Sequence, residues 1–360
     1  LNILVIKLRH LGDVLVTTPV LTALKETYPG SKITMLVNQG TEEMVLHNPA
    51  LDEIITLERD DRRPLWRELL YQKALLSGLR QKGFSLSLDL SQGDRGAIIS
   101  WLTGAPERIG YRPKRKKQCW WTRAYTQTLP PPPVDRHMVS HYLEVLSRFN
   151  LRSSDPRLKF FWTAEDQEAV KNLLAHKGLS EGKAYVVLHP TSRWMFKCWR
   201  SDGYARLVDY IRETLGWEVI ITSGPEEKER RAVREILART ESNPLDLSGE
   251  LNIKQLGCLI AQAQFFLGVD SAPMHIAAAV GTPVVVLFGP SGEVMWGPWE
   301  VDHQVIKKDW DCRPCGRDGC QGSKISKCLV EITTDEVISG IRTLLNLSPV
   351  PLPADHGSLP

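Results

Sequence analysis

No stretch of this 360-residue chain approaches the roughly 20 consecutive apolar residues of a membrane-spanning helix, so none reads as a transmembrane segment. Net charge is nearly absent too. The 45 lysines and arginines against 42 aspartates and glutamates leave +3, too little by itself to imply a nucleic-acid partner. The seven cysteines are odd in number and mostly late, which argues against a secreted disulfide framework. The turn after the first apolar run is neither a G-x-G-x-x-G fingerprint nor a P-loop ending in G-K-[ST]. That absence counts against a nucleotide-dependent oxidoreductase or epimerase. No Asp-x-Asp pair is read as a holder of magnesium on a diphosphate, and no short internal repeat is visible.

What is present is ordinary for a globular protein: 42% hydrophobic and 24% charged residues, in a length that suits two domains. The opening LNILVIKLRHLGD carries Lys7 and Arg9 and lacks a small-residue cleavage site. It reads as a first strand rather than a signal peptide, and a cytoplasmic location is expected. Strand and helix patterns then alternate. Strands are expected at Asn2–Leu8, Lys32–Val37, Glu53–Leu57, Phe84–Leu90 and Arg108–Tyr111. Helices are expected at Pro19–Tyr28, Thr41–His47, Pro64–Lys82, Asp94–Leu102 and Arg136–Phe149. A second alternating series follows a polar stretch near Asn150–Lys159. The expected organisation is α/β, with Rossmann-like units over residues 1–155 and 156–332, a closing helix over 333–347 and a disordered tail over 348–360. Such units bind ligands at the carboxyl ends of their strands, so the cleft between them is the expected site.

The stretch from Phe265 to Ser291 carries the most information. Phe265–Val269 reads as a buried strand, Ser271 as a helix N-cap and Pro273 as a first-turn proline. Met274–Val280 continues as a small helix that Gly281 stops, and Val284–Phe288 is a second strand. Unpaired N–H groups and partial positive charge make the start of that helix suitable for a phosphate. Asp270 cannot serve the phosphate and is better suited to sugar hydroxyls. In the first half, Asp13 follows Gly12 just beyond a strand end. It reads either as a cap of the next helix or as a general base facing the cleft. In the second half, Thr191, Ser192, Arg193 and Lys197 follow a strand and suit a pyrophosphate leaving group, whose charge grows as its bond breaks. His189 reads as structural. Glu226 or Glu227 reads as a ribose contact or as the acidic first turn of an exposed helix.

Together these motifs resemble the lipopolysaccharide core heptosyltransferases, from Ile3 to about Leu345. The resemblance is carried by K-x-R-x-x-G-D-x-x-x-T-T-P at the start, by H-P-T-S-R…F-K-C-W, and above all by G-V-D-S-A-P-M-H-I-A-A-A-V-G-T-P. The middle motif is most similar to the third type of heptosyltransferase. Its Arg193-to-Lys197 spacing is one residue longer than in the first type. The resemblance implies a GT-B glycosyltransferase fold, two Rossmann-like domains facing across a cleft. It implies ADP-heptose as donor, the inner core of lipopolysaccharide as acceptor, inversion at the anomeric carbon, and no required cofactor or metal. It makes Asp13 the catalytic base and Thr191, Ser192 and Lys197 ligands of the donor phosphates. Glu227 becomes the acid near the adenosine ribose, Asp270 the holder of heptose hydroxyls, and Ser271, Ala272 and His275 the phosphate-binding helix start. Arg193 joins this donor set. The alternatives are another inner-core heptosyltransferase, of the first or second type, or a non-catalytic nucleotide-sugar-binding protein of the same fold.

Two segments stand outside this frame. Lys114, Arg115, Lys116 and Lys117 lie beside Trp120 in a basic aromatic stretch that reads as a solvated loop, as a nucleic-acid grip, or as the contact with an anionic lipid-anchored acceptor. The last reading is preferred, with peripheral contact to the inner face of the inner membrane and no nucleic-acid partner. Cys312, Cys315, Cys320 and Cys328 form C-x2-C-x4-C-x7-C. The C-x2-C part is zinc-like, but a reduced or partly disulfide-bonded structural loop is the preferred reading.

Overall fold

The computed structural model of the protein describes residues 1–58, 64–112, 121–147 and 153–347. The expected acceptor segment Lys114–Trp120 and the expected tail over 348–360 lie outside the described residues. Strands β1 (Asn2–Lys7), β2 (Lys32–Asn38), β3 (Glu53–Leu57), β4 (Leu86–Asp89), β5 (Glu107–Tyr111) and β6 (Gln127–Leu129) form one sheet in the order β3-β2-β1-β4-β5-β6. Strands β7 (Tyr185–His189), β8 (Glu218–Ile221), β9 (Leu245–Asp246), β10 (Phe266–Val269), β11 (Val284–Leu287) and β12 (His303–Ile306) form the other, in the order β12-β11-β10-β7-β8-β9. Every adjacent pair is parallel. Both orders are the doubly wound one, with its switch point between β1 and β4 and between β7 and β10.

The strand sequences explain the layers. Alternate residues of a strand face opposite sides, and helices cover both faces of a parallel sheet. Ile3 and Val5 accordingly enter one core with Val14, Leu15 and Leu21, while Leu4 and Ile6 enter another with Leu57, Leu79 and Phe84. In the second sheet Val187, Phe266, Val284 and Val286 face the first core, and Val186, Leu188, Leu267, Val285 and Leu287 face a third. One apolar core therefore runs from the inner face of one sheet to the inner face of the other.

Three strands, β6, β9 and β12, go beyond the sequence expectations. All are short, mix polar and apolar residues, and lie at sheet edges, where no continuous apolar run is needed. The helix expected at Thr41–His47 is a single 3-10 turn, Glu42–Met44. His47 takes φ +65° and Asn48 precedes a proline, which disfavours helical backbone. A short helix, Leu11–Leu15, occupies what was read as a turn.

His137 ties the halves together. Its Nε2–H donates to the Gly297 carbonyl (3.1 Å), its ring stacks on Trp299 at 4.6 Å, and its Nδ1 accepts from the Val139 amide. Burial lowers its pKa to about 3, and lowers that of His189 to about 4. In the unfolded chain both titrate near about 6.5. The unfolded state thus binds these protons first, so stability present above that value is lost as the pH falls. Melting temperature is expected to drop as the pH goes from about 6.5 towards about 4, and His137→Asn should flatten the drop. Thermal melts across a pH series check this; an equal slope in the variant would remove His137 from the account.

Candidate active site

β1 and β4 run side by side in the register Ile6↔Asp89, and β10 and β7 in the register Gly268↔His189. Their carboxyl ends therefore deliver four loops to one region between the sheets. The first carries Asp13. His10 occupies the N-cap position without a side-chain cap bond, and Asp13 stands in the first turn rather than at the cap. Its carboxylate pairs instead with Lys7, at 3.4 Å, and its side chain is 20% exposed. Thr17 and Thr18, which also belong to this motif, turn their hydroxyls back to the Val14 and Leu15 carbonyls and shape the next helix.

Across the cleft, Lys197 closes a 3-10 turn, Met195–Lys197, and its Nζ lies 2.5 Å from Asp270 Oδ2. Ser291 donates a hydroxyl to the same carboxylate oxygen. Trp194 presents its ring edge-on to His10 from the first half, at 5.1 Å, and lies 5.2 Å from the Lys197 ammonium. The helix Ala272–Val280 starts at Ser271, but that hydroxyl donates to the Val269 carbonyl (3.2 Å) and makes no side-chain cap bond. Ser271 stands at the N-cap position, as expected, and acts there through its backbone: its carbonyl accepts from the Met274 amide (3.2 Å), while Pro273 carries no N–H. Pro273 sits in the first turn and Gly281 ends the helix at φ +79°, as read from the sequence.

His275 is buried, and its Nδ1 has no partner among the described residues. Burial lowers its pKa, while Asp270 and Asp13 both pull it back up, so the ring senses a carboxylate from each half. Thr191 donates to Glu229 Oε2 (2.9 Å), and Ser192 accepts from the Trp194 amide (3.4 Å). Arg193 is exposed. His189 is buried against the Thr222 hydroxyl, in keeping with a structural role.

The structure does not bring Glu227 into this group. Its side chain is 63% exposed and is held by Arg234 and Arg230 on the outer face of its helix. The buried acid is Glu229, which also accepts from the Gly224 amide (3.3 Å). A signal for it was available: Glu229, Val233 and Ile236 are spaced as one helical face, and all three are buried. The contacts of Lys7 with Asp13 and of Ser291 with Asp270 carry no sequence motif that sets them apart.

An Asp-x-Asp sequence occurs at Asp309-Trp310-Asp311. It follows β12, and Asp309 is 87% exposed and paired with Lys307. Among the described residues no group of three or more His, Cys, Asp or Glu side chains is arranged to hold a metal ion. Cys312 and Cys315 are exposed free thiols, Cys320 is half-buried and Cys328 is buried.

Residues 73–326 match the family model described as glycosyltransferase family 9 (heptosyltransferase). Lipopolysaccharide heptosyltransferase 3 of Escherichia coli is 31% identical over 293 residues, covering 81% of this chain and 84% of that protein. Among solved structures, the glycosyl transferase family 9 protein of Veillonella parvula superposes with a TM-score of 0.81 at 22% identity, covering 96% of this chain and 97% of that one. The E. coli ADP-heptose lps heptosyltransferase II superposes with a TM-score of 0.76 at 21% identity, over 96% and 99% of the two chains. With its two Rossmann-like sheets, the chain has the GT-B fold.

Gly12 offers a direct test of the seam. A Cβ built there would stand 2.7 Å from His275 Cδ2, closer than packing allows. Replacing a helical glycine by alanine usually stabilises by about 0.5–1 kcal/mol, but overpacking costs about 1–3 kcal/mol. Gly12→Ala is expected to be net destabilising in denaturant unfolding, and His275→Ala in the same chain should recover part of the loss beyond additivity. A Gly12→Ala protein as stable as the parent would show that the contact is loose.

Proposed function

Because the chain belongs to glycosyltransferase family 9, the heptosyltransferases, we propose that it moves heptose from ADP-heptose to the inner core of lipopolysaccharide as a heptosyltransferase of the third type. The observation that carries this reading is the facing arrangement. A carboxylate on the first half, Asp13, is exposed enough to meet an acceptor, and lies across the cleft from a cation, a carboxylate and a helix start on the second.

In this reading Asp13 accepts the proton of the acceptor hydroxyl. The freed oxygen attacks the anomeric carbon from the side opposite the ADP, so the configuration inverts. The bond from that carbon to the phosphate oxygen breaks, and its electron pair leaves with ADP. Lys197, the Ser271–His275 helix start and the Thr191–Ser192–Arg193 turn stabilise the departing charge. Asp270 takes the heptose hydroxyls. Glu229, rather than Glu227, is the acid next to the Thr191 turn and is assigned to the nucleoside side of the donor. Lys114–Lys117 and Trp120 are assigned to the anionic acceptor and to contact with the surface of the inner membrane from the cytoplasm. No helix among the described residues is long and apolar enough to cross a membrane.

The purified protein should transfer heptose from ADP-heptose to core acceptors lacking the third heptose, and not to earlier acceptors. Mass spectrometry of the product reads the added heptose. Asp13→Asn should retain donor affinity and lose at least about 100-fold in kcat. Transfer only to an earlier acceptor would assign the first or second type instead, and near-normal kcat in Asp13→Asn would remove the base.

Calorimetry separates the donor contacts. Lys197→Ala should weaken ADP, since an ammonium serves the phosphates. Asp270→Ala should weaken ADP-heptose more than ADP, since a carboxylate can address only hydroxyls. Equal losses for both ligands in the Asp270 variant would refute its sugar contact.

A further inference from the structure

Lys7 ends β1, yet its side chain turns inward to 2% exposure. A buried ammonium is costly unless its protons are bound. An ammonium has three N–H donors, and three acceptors surround this one: the Leu90 carbonyl (3.1 Å), the Tyr142 hydroxyl (2.6 Å) and the Asp13 carboxylate (3.4 Å). They come from the loop after β4, from the helix Met138–Ser147 and from the helix Leu11–Leu15. The Tyr142 ring lies 5.0 Å from the same nitrogen. The cation is thus held in one place by three elements, and one of them carries the reacting carboxylate.

We propose that Lys7 is a positioning residue for the base: it fixes one oxygen of Asp13, leaving the other oxygen for the acceptor hydroxyl. This rests on the reading of Asp13 as base. Burial lowers the Lys7 pKa, and Asp13 raises it again, as two halves of one ion pair do. The other groups facing Asp13 leave this task to Lys7. His275, from the helix Ala272–Val280, and His10, from the preceding loop, are both held towards the neutral form by burial. Arg9 commits its guanidinium to the Ser91 and Gln92 carbonyls. Tyr142 is kept protonated by burial. Asp89, at the end of β4, is buried, accepts from the Tyr125 hydroxyl and is one of the carboxylates acting on Lys7. Among the described residues Lys7 is the ion-pair partner of Asp13.

The acceptor's O–H bond breaks, its proton goes to the Asp13 oxygen that faces the cleft, and Lys7 neither gains nor loses a proton. Without the ammonium the carboxylate is free to turn, and the oxygen that meets the acceptor loses its fixed place.

The test measures kcat, acceptor KM, donor affinity and folded fraction, all at one pH, for the whole protein and for Lys7→Met, Lys7→Gln and Lys7→Arg. Met removes the charge and the hydrogen bonds, Gln removes the charge and keeps N–H donors on a shorter arm, and Arg restores the charge. Per folded molecule, Met and Gln should lose at least about ten-fold in kcat, with acceptor KM and donor affinity unchanged within about two-fold, and Arg should recover part of the loss. Circular dichroism gives the folded fraction, so lost structure is separated from lost positioning. An unchanged kcat per folded molecule in Met and Gln overturns the proposal while transfer by the parent stands. An inactive parent, or an active Asp13→Asn, overturns the reading beneath it.

Discussion

The imidazole of His275 fills the space over Gly12 that a side chain would otherwise occupy, and the distance between the two halves follows from that contact. It seats the first turn of the helix carrying Asp13 against the helix whose start faces the cleft. Around it, Val14, Leu15, Met274, Ile276 and Ala277 belong to one continuous buried core. Each of the four larger side chains contributes about 1.5–3 kcal/mol on burial, so the seam is held as firmly as the interior of either half. The polar contacts at its edges, His137 to Gly297, Trp299 to the Pro156 carbonyl, and Lys254 to the Leu46 and Phe161 carbonyls, then fix its orientation. A catalytic group on one sheet and a charge-stabilising group on the other are useful only at a fixed separation. Here that separation is set by packing and not by the reacting groups themselves.

How far the sequence could be read depended on how local the cause was. The unit from Phe265 to Phe288 was legible almost residue for residue, because both strands are buried on two faces and its proline and glycine mark the helix ends. The same holds for β3 and for the helix Asp94–Leu102, whose bounds match the expectation. The edge strands were not legible, since a strand that buries little carries little pattern. The helix at Thr41–His47 failed because an apolar pattern over one turn cannot outweigh a following Asn-Pro and a left-handed His47.

Site residues divide in the same way. Asp13, Lys197, Asp270 and His275 were visible because each stands beside a strand end or helix start with distinctive neighbours, and the structure brings them together. Glu229 was passed over for Glu227 because adjacent acids on a helix differ only in which face they take. Lys7 was noted merely as a charge in an apolar run. Its significance depends on Leu90 and Tyr142, 83 and 135 residues further along the chain, and no local pattern contains that information.

The charges across the cleft share a common design. Asp13 is partnered by Lys7, Asp270 by Lys197, and Glu229 by neutral donors. A buried carboxylate left alone would be driven towards protonation, and the loss of either member of a buried pair costs about 3–5 kcal/mol. The two ion pairs nevertheless differ in a way that matters for the proposed reaction. Lys7 is enclosed and remains with Asp13 throughout. Lys197 and Asp270 keep 16% and 11% of their side-chain surface open to the cleft, so each can be met by a ligand without being buried first. A donor that carries phosphates at one end and hydroxyls at the other supplies new partners to both at once. On the proposed roles, a nucleotide alone brings phosphates for the lysine but no heptose hydroxyls for the carboxylate. Selection of the whole sugar nucleotide over its product then follows from a pair whose two members demand different chemistry from the same molecule.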